Sequence, residues 1–199
     1  MKKLLITTVA LSTLLFSKTM YLQNDETIFS DNKPVGFATI LTPVEVLSQD
    51  KNSSKVEIIG YVNEYYQVKL IKDPMLAEDF IVFEDENASV SYEGDENTYI
   101  KVLEKIEDNY GESWLKAKFS LGVKNSSLTN DPNALYNEAK NLYEQSCSPC
   151  HRLHDTKEFT ISQWPLNVEE MISSGFVFFE PSQRDLIIKY LQHNAKDAN

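Results

Sequence analysis

The sequence predicts an α+β protein, with a small β-barrel or sandwich followed by a small all-α domain. Before about residue 130, short runs rich in Val, Ile, Phe and Tyr alternate with polar and acidic loops, which is typical of small all-β domains. After this point, apolar residues recur at spacings of three and four, the period of an amphipathic helix. A hydrophobic content of 42% is sufficient to form a buried core.

Residues 1–17, "MKKLLITTVALSTLLFS", are typical of a secretory signal peptide, with Lys2 and Lys3 before a mostly apolar run. That run is shorter than the ~20 residues a membrane-spanning helix needs. We therefore expect export to the periplasm with cleavage near Ser17, and the alternative is an uncleaved N-terminal anchor. No second apolar stretch is long enough to cross a bilayer, so no membrane span is expected after cleavage.

The formal net charge is −11, and loss of the two lysines with residues 1–17 makes it −13. This charge disfavours nucleic acid as a partner, because phosphates require clustered Lys and Arg. It is compatible with attraction to a positively charged partner.

The β-rich part is predicted to hold several short strands, and Gly60 indicates a bulge or sharp bend. The segment 85–97 is predicted to be an acidic loop, and 124–131 has the composition of a linker. The predicted strand regions are 36–47, 55–71, 79–84, 98–107 and 113–121.

Three helices are predicted in the C-terminal part. Asp131 is a potential cap and Pro132 suits a first helical position, so the first helix is expected at 132–146. The second is expected at 165–173, between Pro165 and Gly175. The third is expected at 181–194.

The segment "SCSPCHRL" (146–153) holds both cysteines of the chain, Cys147 and Cys150, followed directly by His151. Cys-X-X-Cys-His is the attachment signature of c-type haem, in which the thiols form thioethers and the histidine binds the iron. The signature predicts one covalent haem c. A thioredoxin-like dithiol, a zinc site and a plain disulfide are the alternatives, but the motif follows a helical pattern and few other metal ligands are available.

The sixth iron ligand is predicted to be Met171, since Met/His is a common cytochrome c pairing. His193 is the next choice, and Met20 and Met75 are the other distant candidates. His154 is too close to His151 in sequence to reach the opposite haem face. Such a closed site predicts electron transfer and no enzymatic activity.

Side chains near the motif are predicted to surround the haem. Trp164 is expected to cover its edge or to donate its indole N–H to a propionate, and Arg152 is expected to neutralise a propionate. The cluster "GFVFFE" (175–180) is expected to form a wall of the haem pocket.

The segments "LYNEAKNLYEQSCSPCHRLHDTKEFTISQWPLNVEEM" and "SQRDLIIKYLQHNAKD" resemble the C-terminal monohaem domain of the multihaem cytochromes that serve trimethylamine N-oxide reductases. The segments "ILTPVEVL" and "YVNEYYQVKL" are similar to the SH3-like region preceding that domain. The resemblance implies a signal peptide (1–17), an SH3-like β domain (20–125) and a monohaem cytochrome c domain (131–199).

The resemblance further implies His151 and Met171 as axial ligands, and anaerobic electron transfer to a periplasmic molybdopterin N-oxide or S-oxide reductase. The sequence lacks the membrane-anchored tetrahaem domain of that family, so a separate membrane quinol-linked electron donor is expected. The alternative functions are a haem enzyme or gas or redox sensor with an open sixth position, and a binding module whose haem is structural.

Overall fold

The structure, a computed structural model, describes residues 18–84 and 97–198. The predicted signal at 1–17 and nearly all of the predicted loop at 85–97 lie outside these residues. Within them, ten strands form one antiparallel sheet. The strands are β1 (Lys18–Leu22), β2 (Glu26–Ser30), β3 (Lys33–Ala38), β4 (Pro43–Gln49), β5 (Ser53–Asn63), β6 (Tyr66–Ile71), β7 (Asp79–Phe83), β8 (Lys101–Glu107), β9 (Ser113–Lys124) and β10 (Leu128–Thr129).

The sheet runs in the order β10-β1-β4-β5-β6-β7-β3-β2, and β9 pairs with both β5 and β8. Strand β5 can serve three neighbours because it is long, and its register with β6 shifts between Tyr61 and Asn63. Gly60 lies just before this shift, and a Cβ there would be 2.5 Å from the Ile71 carbonyl oxygen. The irregularity predicted at Gly60 thus lies one residue further along the chain and affects only the pairing with β6, because the pairing with β9 is regular through Gly60.

Three helices follow the sheet: α1 (Asn133–Cys147), α2 (Gln163–Ser173) and α3 (Pro181–His193). Their positions agree with the prediction to within two residues. Asp131 accepts the Asn133 amide at 3.0 Å, as expected of a residue that caps α1. Among the described residues, none of the helices has the length and apolar character that crossing a bilayer requires.

The predicted fold class is wrong. Of the described residues, 39% are in strands and 27% in helices, and the sheet curls into a half-barrel rather than a small SH3-like barrel. The helices are not a self-contained all-α domain either, because they share a buried core with residues between the strands of the sheet. Ile40 and Leu41, between β3 and β4, pack in one buried cluster with Ala139 of α1 and Leu186 of α3.

A buried ion pair reinforces this contact between α3 and the sheet. Lys189 of α3 is 4% exposed, and its Nζ lies 3.1 Å from Oε1 of Glu78, just before β7. It also donates to the Asp79 carbonyl and lies 5.1 Å from the centre of the Phe80 ring. The linker predicted at 124–131 is likewise part of the fold, because β10 pairs with β1 at Tyr21 and Thr129.

Asp25 gives the fold a pH dependence. Its Oδ1 accepts the Ile40 amide at 2.8 Å, and burial raises its pKa from 3.8 to about 6. The folded state therefore binds this proton more tightly than the unfolded state, so this carboxyl lowers stability as the pH rises from about 4 to about 6. We expect Asp25→Asn, which keeps the acceptor, to match the wild type at pH 4 and to be about 1–2 kcal/mol more stable at pH 7 in urea unfolding.

Asp50→Asn is the matched control, because its pKa is shifted in the opposite direction. Hydrogen bonds from the Asn52 and Ser53 amides and the Ser53 hydroxyl lower the pKa of Asp50. The stabilising contribution of Asp50 is present above its unfolded pKa and is lost as the pH falls. If the stability difference between Asp25→Asn and the wild type does not change with pH, the raised pKa of Asp25 is refuted.

Candidate functional site

An apolar cavity lies among the three helices, and most of the predicted site residues line it. A second cavity adjoins it and shares four of its residues. The first cavity is lined by Tyr143, Cys147, His151, His154, Phe159, Trp164, Asn167, Val168, Met171, Val177, Phe179 and Ile187. The second is lined by Ser146, Cys147, Cys150, His151, Met171, Phe176 and Val177.

The end of α1 positions the two cysteines. Cys147 is the last residue of the helix and is half-buried, whereas Cys150 is exposed in the turn that follows. Both thiols are free. Burial raises the pKa of Cys147, which is opposite to the lowered pKa of a redox-active thiol. The site therefore favours a chemistry that does not depend on an activated thiolate.

A backbone contact defines the proton position on His151. Its Nδ1 lies 2.7 Å from the Arg152 carbonyl oxygen. Because a carbonyl can only accept, Nδ1 carries a proton, and in the neutral imidazole the lone pair is then on Nε2. Metal-binding histidines use this arrangement, in which one ring nitrogen donates to the backbone and the other binds the metal.

Helix α2 supplies another part of the cavity wall. Trp164 and Val168 are buried, and Met171 follows three residues later, so the three lie on one helical face. That face is directed into the cavity, which places Met171 in the same two cavities as Cys147 and His151.

Trp164 and Arg152, the two predicted haem contacts, have other partners in the structure, and their roles toward a haem stay predictions. Trp164 lines the cavity and packs against Phe159, but its indole N–H donates to the Thr156 carbonyl at 2.9 Å. It is therefore not free to bind a propionate. Arg152 does not line either cavity; its Nη2 lies 3.3 Å from Oε1 of Glu158, and its side chain is 78% exposed.

The other candidate sixth ligands occupy different positions. Met20 is on β1 and packs against the sheet core, and Met75 is exposed between β6 and β7. His193 is exposed and its ring stacks on Tyr136 at 4.3 Å. None of these three lines the cavities. His154 does, but its Nδ1 is 2.7 Å from Oε2 of Glu158.

Glu158 organises the segment after the haem motif. Its hydrogen bonds with His154 and the Asp155 amide lower its pKa to about 2. Asp155 in turn accepts the Lys157 amide, which completes a capping box. This role of Glu158 was not among the predictions, although the Asp-X-X-Glu pattern at 155–158 is a sequence signal for it.

Two further wall residues come from the segment predicted to form a wall, 175–180. Val177 and Phe179 line the first cavity, while Phe178 between them is 85% exposed. Tyr143 of α1 also lines the cavity and donates its hydroxyl to the His154 carbonyl at 2.9 Å. This hydrogen bond links the cavity wall to the loop that follows the Cys-X-X-Cys-His motif.

The donor set fits a haem better than a bare metal ion. Within the ranges 18–84 and 97–198, no group of three or more His, Cys, Asp or Glu side chains is placed to hold a metal ion. A haem iron takes four ligands from the porphyrin, so the protein must supply only the two axial ones. The apolar wall, two thiols, the Nε2 lone pair of His151 and the Met171 thioether satisfy this requirement.

Two curated proteins are similar to this chain: the cytochrome c-type protein TorC of Escherichia coli O157:H7 and that of Escherichia coli strain K12. Each is 25% identical over 170 residues, which cover 84% of this chain. The chain spans 41% of the length of these relatives. No family model and no solved structure matches it. Together with the geometry of the site, the similarity relates this chain to c-type cytochromes.

Proposed function

We propose that this protein is a periplasmic c-type cytochrome with one covalent haem c, which transfers electrons to a molybdopterin reductase of N-oxides or S-oxides. One observation carries the proposal: Cys147 at the end of α1, His151 just beyond it and Met171 of α2 line the same apolar cavity. The similarity to c-type cytochromes supports it independently.

The residues of the site have distinct roles in this proposal. Cys147 and Cys150 would hold the haem through thioethers at their Sγ atoms, and His151 would offer Nε2 to the iron. Met171 would offer its thioether sulfur as the second protein ligand, which would favour the ferrous state and a higher potential than a second imidazole would give. When bound, haem c supplies reversible one-electron exchange.

The apolar wall has a separate task, which is to keep water from the ligands. Tyr143, Trp164, Val168 and Ile187 are buried and line the cavity. A dry, low-dielectric surround raises the potential of an iron centre by disfavouring the more highly charged state. With both axial positions filled by side chains, no position is left for a substrate.

The first test is the optical spectrum of the exported protein after maturation by a cytochrome c system. We expect covalent haem and, in the oxidised form, the weak far-red band of iron–methionine ligation. Met171→Ala should abolish this band, open the site to carbon monoxide and lower the reduction potential by on the order of 0.1–0.3 V. Met75→Ala is the matched control and should change none of these.

Other outcomes point to other functions. Loss of the band in His193→Ala but not in Met171→Ala would assign the sixth ligand to His193. Ready carbon monoxide binding by the native ferrous protein would favour a gas sensor or haem enzyme. A protein without covalent haem would refute the cytochrome.

A second experiment tests the reductase separately. The ferrous protein is mixed with a purified periplasmic trimethylamine N-oxide reductase, and trimethylamine N-oxide is added. We expect reoxidation of the cytochrome that requires both enzyme and substrate. If the ferrous spectrum persists, the proposed acceptor is wrong, but the assignment of the protein as a cytochrome is unaffected. Reduction of the ferric protein by membranes with quinol would identify the expected membrane donor.

A further inference from the structure

Three tyrosines are exposed on two turns of the sheet. Tyr65 and Tyr66, where β5 turns into β6, are 60% and 54% exposed, and Tyr110, between β8 and β9, is 80% exposed. Tyrosine rings are large and rigid, and they are enriched among the residues that dominate binding at protein interfaces.

The two turns lie at the same end of the sheet. Strand β5 pairs with β9 along its whole length, and the last pair joins Asn63 and Trp114. The Glu64 amide then donates to the Ser113 carbonyl at 3.1 Å. Lys105 of β8 spans the turns, with its Nζ 2.7 Å from Oε1 of Glu64. We call the surface formed by 63–66 and 107–113 the tyrosine end.

Side-chain hydrogen bonds hold both turns in shape. Asp108 accepts the Tyr110 and Glu112 amides at 2.8 and 2.9 Å, and it accepts the Trp114 indole N–H at 3.1 Å. On the other turn, Asn63 accepts the Tyr65 amide at 2.9 Å. A partner would therefore meet tyrosines on turns that are already ordered, which reduces the entropy cost of binding.

The charge of the tyrosine end indicates the chemistry of its partner. The two segments contain Glu64, Glu107, Asp108 and Glu112 and no Lys or Arg. Hydrogen bonds from the turn amides and the Trp114 indole lower the pKa of Asp108. Lys105 interacts with both Glu64 and Glu107, so one cation faces the four carboxylates of these two segments. Exposed tyrosine faces beside carboxylates attract guanidinium groups through cation–π and ionic contacts.

We propose that the tyrosine end docks a basic, arginine-bearing segment of a partner protein. The surface uses β5, β6, β8 and β9, whereas the haem-binding cavity uses the helices and the segment 176–179. The inference does not depend on the presence of haem. It also gives the sheet a function of its own, which is to hold a partner.

The test uses the full exported protein and a fluorescein-labelled peptide of alternating Arg and Ser, with anisotropy as the readout. We expect saturable binding that Tyr65→Ala/Tyr110→Ala weakens about tenfold. Tyr65→Phe/Tyr110→Phe should bind like the wild type, because the ring faces remain. Phe29→Ala, which removes a 64% exposed ring on β2, is the control and should leave binding unchanged.

Several results would overturn the proposal. The first is an Arg-Ser peptide that does not bind, and the second is a double alanine variant that binds as tightly as the wild type. The third is an equal loss of peptide affinity in Phe29→Ala, which would show that exposed aromatic rings contribute to binding wherever they lie on the surface. Spectra and haem content of the variants test the cytochrome separately and should be unchanged.

Discussion

Replacement of Lys189 by alanine is expected to lower the free energy of unfolding by about 3–5 kcal/mol. Lys189 is buried at the contact between α3 and the sheet, and its Nζ is the partner of Glu78 and of the Asp79 carbonyl. Removing it leaves a buried carboxylate and carbonyl without their donor, together with a cavity along the lost side chain. Urea unfolding at neutral pH measures the loss.

Lys72→Ala is the matched control for this prediction. Lys72 bonds the other oxygen of Glu78 at 3.0 Å, but its side chain is 46% exposed, so its removal should cost no more than about 1 kcal/mol. If both variants lose the same free energy of unfolding, burial is not what makes Lys189 more important than Lys72.

The pH dependence of this pair adds a second check. Burial by itself would raise the pKa of Glu78, but the charges of Lys189 and Lys72 outweigh it and lower the pKa below 4.5. The stabilising contribution is therefore present above the unfolded pKa and is lost as the pH falls through the folded value. The difference between the wild type and Lys189→Ala should shrink in acid.

Gly36→Ala is expected to cost about 3–4 kcal/mol. Gly36 lies in β3, between β2 and β7, with a φ of +151° that L side chains rarely adopt. A Cβ there would be 2.2 Å from the Val82 carbonyl oxygen and 2.8 Å from Cα of Phe83. Both are backbone atoms of a central strand, so the clash can be relieved only by moving β7.

Gly122→Ala in β9 is the control, because nothing lies within 4 Å of a Cβ placed there. Its effect should be within about 0.5 kcal/mol, since alanine also restricts the unfolded chain. Thermal unfolding of both variants measures the contrast. A small effect at Gly36 would mean that β3 and β7 are not packed as closely as described.

The three helices could be predicted because each combines a stop or start residue with an apolar repeat. The strands were predictable in part, since β7 and β9 are apolar runs bounded by turn residues. The run 36–47 divides into β3 and β4 because Leu41 has a φ of +61°, which no periodicity reveals. Strands β1 (KTMYL) and β2 (ETIFS) are absent from the prediction because they are as short as β7 (DFIVF) but contain fewer apolar residues.

The fold class could not be predicted, because it depends on contacts between distant segments. Lys189 and Glu78 are far apart in sequence, and a single Lys or Glu is normally expected to be exposed to solvent. Only the folded chain shows that they meet in a buried position. The prediction of a self-contained helical domain failed for this reason.

More of the candidate site than of the fold could be predicted from the sequence. The spacing of Cys147, Cys150 and His151 is local, so the haem signature is visible in the sequence. Met171 required a choice among several methionines, and its cavity position supports that choice. The contact from Arg152 to Glu158 and that from Trp164 to Thr156 depend on the path of the 151–159 loop, which no local pattern determines.

The pairing of β1 with β10 has a consequence for the order in which the chain folds. It joins the first described strand to residues that directly precede α1, so the sheet cannot be completed until the chain as far as β10 is available to fold. Such distant pairings make folding slow. The segment with Cys147 and Cys150 follows soon after β10, so it is available while the sheet is still forming. In this order of folding both thiols are accessible before the helices pack around them.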